Sequence, residues 1–141
     1  MAKRRKSKSA GLESPTSDCV LLCDDVLISQ GKQKHNLIGI IGTIGVMGFP
    51  AAIGGYVAYA RFRNVYKGKK VSLKFTSASN DESLFELEIP FPEQSNPLGV
   101  YTIVVPIAPF VVKEAGNYLF GAYDNGIPIA VSPINVVGAG T

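Results

Sequence analysis

Residues 37–60 read LIGIIGTIGVMGFPAAIGGYVAYA, a stretch of 24 residues without a charge, and the fold turns on whether it forms one apolar helix or two strands. As a helix it would be long enough to cross a bilayer. Against that stand Gly39, Gly42, Gly45, Gly48, Gly54 and Gly55, each about 1 kcal/mol worse than Ala in a helix interior, and Pro50, about 3 kcal/mol worse. The flanks favour strands. Residues 37–46 are rich in Ile and follow a polar turn, while residues 56–62 (YVAYARF) alternate and continue past Arg61 without a break. The stretch therefore reads as a buried strand, a Gly/Pro-rich connection and a second strand, and no membrane span is expected.

Upstream, residues 19–28 are apolar and β-branched, and the polar segment 29–36 (SQGKQKHN) turns them back onto residues 37–46 as a hairpin. Downstream, residues 71–76 (VSLKFT) and 83–89 (SLFELEI) alternate, with Val71, Leu73 and Phe75 facing the same core as Phe85, Leu87 and Ile89. That shared face fixes the register: Phe75 pairs with a residue of its own parity, Lys74 sits opposite Glu86 on the wet face, and Ser79, Asn80 and Asp81 form the turn. Residues 100–112 are apolar but contain Pro106 and Pro109, which cannot donate to a ladder and mark an edge, a bulge or a strand that changes sheet. Residues 118–123 and 127–137 flank Asp124-Asn125-Gly126, where Asn-Gly accepts the positive φ angles of a type I′ turn. The total is about eight strands with no helical periodicity, an all-β sandwich or small barrel.

Composition agrees with a single small domain. The 141 residues are 46% apolar and 18% charged, with 15 Gly, 9 Pro and no Trp, which excludes a helical bundle and an acidic disordered chain. The net charge of +3 is unevenly placed. Residues 1–17 carry Lys3, Arg4, Arg5, Lys6 and Lys8 against Glu13 alone, for +4, and the other 124 residues sum to −1. Residues 1–17 read as a disordered basic tail, residues 18–141 as the sandwich domain. No apolar run follows the basic cluster, so export by a signal peptide is not expected and the chain reads as cytoplasmic. The five basic residues are the candidate anion or nucleic-acid contacts, through an electrostatic and salt-sensitive interaction confined to the tail.

Few residues carry recognisable chemistry. Cys19 and Cys23 lie four apart on one face of a strand, about 13 Å from each other, too far to pair. With His35 they supply three zinc ligands where four are needed, so free thiols are expected and neither metal nor cofactor. His35, the single imidazole, falls at the hairpin tip, where nothing locks it as a base. Glu86 and Glu88 share a strand face and read as solvated rather than as a hydrolase pair. Asp24 and Asp25 end the run VLLC and point to opposite faces, so one is expected inward or at the sheet rim, as a structural or ligand carboxylate that accepts N–H bonds from a neighbouring loop. The glycines at 39, 42, 45 and 48 do not follow the order of a dinucleotide-binding loop.

Two resemblances add to this. Glu114-Ala115-Gly116-Asn117-Tyr118 resembles the acid-x-Gly-x-Tyr corner of immunoglobulin-like domains, which implies an immunoglobulin-like antiparallel sandwich with the Tyr hydroxyl bonded to nearby backbone. Glu replaces the usual Asp, and Phe120 stands where such domains carry Cys. Further, Leu22-Cys23-Asp24-Asp25-Val26, Asn36-Leu37-Ile38-Gly39-Ile40, Phe49-Pro50 and Gly116-Asn117-Tyr118 with the closing hairpin resemble a family of small bacterial proteins of unknown function over residues 19–137. That family implies a cytoplasmic β-sandwich without a known cofactor or activity. The reading is a non-enzymatic protein-interaction module acting through a surface or sheet edge on a partner protein or a second copy. The alternative is a jelly-roll-like virion or shell protein whose basic arm binds nucleic acid.

Overall fold

The computed structural model describes residues 15–29, 34–65, 69–91 and 96–139, and among them every regular element is a strand. There are eleven: β1 (Thr16–Ser29), β2 (Lys34–Ile40), β3 (Thr43–Val46), β4 (Ala51–Ile53), β5 (Val57–Val65), β6 (Lys70–Ser77), β7 (Ser83–Pro90), β8 (Asn96–Pro106), β9 (Phe110–Val112), β10 (Gly116–Asp124) and β11 (Ile127–Gly138). Sheet A has the order β2-β1-β5-β8, sheet B the order β3-β11-β10-β6-β7, and β4 and β9 form a separate ladder. No helix among the described residues is long and apolar enough to cross a membrane.

The excess over eight strands has a local cause in each case. Residues 37–46 do not run as one strand: the chain leaves sheet A at Ile41, whose N–H bonds Leu22 O at 2.8 Å, and enters sheet B at Gly42, whose carbonyl accepts from Asn135 N at 3.0 Å. β3 then runs parallel to β11, so the pairing is not antiparallel throughout. β8 ends at Pro106, a residue that cannot extend the ladder, and the chain resumes as β9 against β4. The strand β4 lies inside the Gly/Pro-rich connection. Thr16 and Ser17, read from the sequence as the end of the tail, lie in β1 and pair with Arg63 and Phe62. The basic residues Lys3, Arg4, Arg5, Lys6 and Lys8 lie outside the described residues.

One cluster fills the space between the sheets. Val20 and Leu22 from β1, Ala58, Ala60 and Phe62 from β5 and Ile103 from β8 meet Val71, Leu73 and Phe75 from β6, Tyr118, Phe120 and Ala122 from β10, and Ile134 and Val136 from β11. Phe75 is its pivot, with ring centroids 4.7 Å from Phe110 and 5.3 Å from Tyr118. Burying each such ring contributes about 1.5–3 kcal/mol. Ser132 Oγ ties the layers, donating to Val20 O at 2.6 Å.

Register follows the side-chain pattern. Lys74 faces Glu86 and Phe75 faces Phe85, as parity requires. The turn is longer than three residues: Ser77 N bonds Glu82 O at 2.9 Å, and a bulge between Phe75 and Thr76 restores the parity. At the closing hairpin Asn125 and Gly126 have φ of 52° and 82°, both positive as a type I′ turn demands. The corner at Tyr118 is present, with its hydroxyl donating to Glu114 O at 2.6 Å.

Candidate interaction surface

The sandwich has four sheet edges, and they are not equally protected. β8 carries Pro97 and Pro106, and β7 ends at Pro90 and bears Glu86 and Glu88. β3 has only four residues. Prolines, charges and shortness all discourage pairing with another chain. β2, at the edge of sheet A, has no proline and carries one charge, Lys34 at its start. On its outward face Ile38 is 44% exposed and Ile40 56%, and Leu27 of β1 beside them is 51% exposed. An unpaired row of backbone donors and acceptors beside exposed aliphatic side chains is what an added strand needs.

The β1–β2 ribbon does not lie flat. β1 pairs with β5 only as far as Cys23, while its pairing with β2 runs on to Ser29. His35 is level with Ile28 on β1 and Tyr59 is level with Leu21. In a straight strand those levels would be roughly 23 Å apart, at about 3.3 Å per residue. Yet His35 Nδ1 and the Tyr59 hydroxyl share a hydrogen bond of 2.7 Å, with rings 5.5 Å apart. The ribbon therefore bends back over the outer face of sheet A. The bend is at Gly39, whose φ of 67° suits glycine, and the Asp24 carboxylate fills the space a Cβ there would occupy.

This geometry revises two expectations. His35 is not at the hairpin tip but on β2, half-buried against Tyr59, because Lys34 and Asn36 already pair with β1. Of the two positions expected for one of Asp24 and Asp25, inward or at the sheet rim, the inward one is not taken: both are exposed, on the part of β1 beyond Cys23 that no longer pairs with β5. Asp25 Oδ1 instead accepts from the adjacent Val26 N at 2.8 Å. The side chains that hold this region together are ones the sequence did not single out. Tyr59 anchors the ribbon, and Asp18 takes Arg61 at 3.7 Å and Arg63 at 3.5 Å.

The thiols are free, and burial pushes both up from the ordinary thiol range, Cys19 being partly offset by Arg61. Glu88 is paired with Lys70 at 3.0 Å on an exposed face, and Glu86 lies opposite Lys74. Among the described residues no group of three His, Cys, Asp or Glu converges as a metal site. Two shallow depressions of 390 and 180 Å³ flank the Tyr118 corner and share Ser77 and Glu114. Their hydroxyls are engaged locally: Ser77 Oγ lies 3.1 Å from Ser79 Oγ, and the Tyr118 hydroxyl is spent on Glu114 O.

No curated protein matches this chain. A family profile does match it, across residues 18–137, which takes in all the strands but the ends of β1 and β11. The chain belongs to that family, a family of unknown function (DUF6941).

Proposed function

We propose that this protein is a non-enzymatic interaction module that takes an extended segment of a partner protein onto the β2 edge of sheet A. The observation that carries the reading is the contrast among edges: β2 alone of the longer edge strands combines no proline with exposed aliphatic side chains, Ile38 and Ile40. The partner's backbone supplies the ladder and its alternate apolar side chains meet Leu27 and Ile38. An enzymatic reading has less support, since Glu86 and Glu88 face lysines and His35 is engaged by Tyr59. The basic tail, with Lys3 to Lys8, serves as an electrostatic tether.

The test is selection of displayed twelve-residue peptides against the full chain, followed by hydrogen exchange of the complex and sedimentation of the free protein. Binding that protects the β2 amides and is lost in Ile38→Lys, with an unchanged unfolding midpoint, is the expected result. Peptides that bind elsewhere, or binding that survives Ile38→Lys while a Glu86→Lys control abolishes it, would move the site from β2. A large closed assembly containing nucleic acid would replace this reading with that of a shell protein.

A further inference from the structure

Cys23 is 0% exposed and Tyr59 4%, yet neither belongs to the cluster that fills the sandwich. Tyr59 alternates with the inward-facing Ala58 and Ala60, and Cys23 follows the inward-facing Leu22, so both lie on the outer face of sheet A. The ribbon meets that face through His35, whose ring lies 5.5 Å from that of Tyr59. The attachment is slight. Among the described residues the ribbon has no ladder to β5 beyond Cys23, and it is tied to sheet A by the side-chain bond between His35 and Tyr59. Ile28, on the same ribbon face as His35, remains 55% exposed, so the inner face is only partly seated. At the root stands Gly39 in the left-handed region, packed against Asp24.

We infer that residues 24–29 and 34–39 form a hinged cover over the outer face of sheet A, pivoting at Asp24 and Gly39 and latched by His35 on Tyr59, whose opening exposes the Cys23 thiol. Among the described residues, opening gives up the His35–Tyr59 hydrogen bond and a few partly buried aliphatic contacts, whereas global unfolding gives up the whole sandwich. The cover therefore opens as a local unit well below the global transition. This inference does not depend on what binds the β2 edge.

Alkylation by iodoacetamide tests it in the full chain carrying Cys19→Ser, so that Cys23 is the only thiol. Cys23 is expected to react more than tenfold faster than global unfolding permits, at a rate nearly independent of low denaturant. Adding Tyr59→Phe raises that rate about fivefold, the effect of losing one ordinary hydrogen bond, while the denaturant midpoint stays close to that of the parent. His35→Ala produces a similar rise and serves if Tyr59→Phe does not fold. Alkylation that tracks global unfolding at every denaturant concentration, or rates that neither substitution changes, would overturn the cover.

Discussion

Two tyrosines are buried among the described residues, and they are held in different ways. Tyr118 lies inside the sandwich, stacked on Phe75 at 5.3 Å, and its hydroxyl donates to a carbonyl four residues back in the chain. Tyr59 lies outside, and its hydroxyl reaches His35, 24 residues away, only because a two-stranded ribbon folds over it. Burial raises the pKa of both phenols. Burial alone therefore does not say how firmly a residue is held. Tyr118 is released only when the core opens, whereas Tyr59 is released whenever the ribbon lifts, so the two faces of one sheet pair differ in local stability.

The largest effect expected on this contrast comes from Phe75→Ala. It removes the ring that meets both Phe110 and Tyr118, and a cavity of that kind costs about 3–5 kcal/mol in denaturant unfolding. A loss below about 1 kcal/mol would mean that the interior collapses around the gap, and the sandwich core would no longer contrast with the covered face. Tyr118→Phe comes next. It leaves the ring in place and removes the bond to Glu114 O, for a loss of about 0.5–1.5 kcal/mol in global stability. Tyr59→Phe removes a hydroxyl of the same kind, yet its effect should appear mainly as faster alkylation of Cys23, with a smaller global change. Equal global losses in the two variants would erase the distinction.

The same contrast explains what was legible in the sequence. Sheet B could be read because its signals are local: alternation in residues 71–76 and 83–89 fixes Lys74 opposite Glu86, Asn125-Gly126 fixes the last hairpin, and Gly-x-Tyr fixes the corner. The 24-residue apolar run was legible as strands because its glycines and Pro50 are incompatible with a helix. What the residues did not reveal is where a strand changes partners. The passage through Ile41 and Gly42 depends on bonds to Leu22 and Asn135, which are distant in sequence. For the same reason His35 reads as a turn residue and one of Asp24 and Asp25 as a carboxylate facing inward or at the sheet rim. The bend at Gly39 takes His35 from the first role and both carboxylates from an inward one, and a glycine among six in one apolar run carries no mark of positive φ. The β2 edge was foreseeable only as a class of surface. The comparison of edges on which the proposal rests needs the sheet order.

The smallest expected effect lies on the alkaline side. Burial raises the folded pKa of Cys23 and of Cys19, so each thiol holds its proton longer in the folded chain than in the unfolded one. At pH values below the unfolded thiol pKa, about 8.5, both states are protonated and the contribution is fully present. As pH rises past that value the unfolded state releases protons first, and stability falls until the folded thiols ionise as well. Arg61 beside Cys19 favours its thiolate, whereas the neighbouring charges at Cys23, Cys19 and Asp24, add to the rise. Cys23→Ala should therefore flatten the decline of unfolding free energy above about pH 8.5 more than Cys19→Ala does. A steeper effect from Cys19→Ala would place the more strongly shielded thiol at the Arg61 end of the strand, away from the ribbon, and the covered face would have to be redrawn around it.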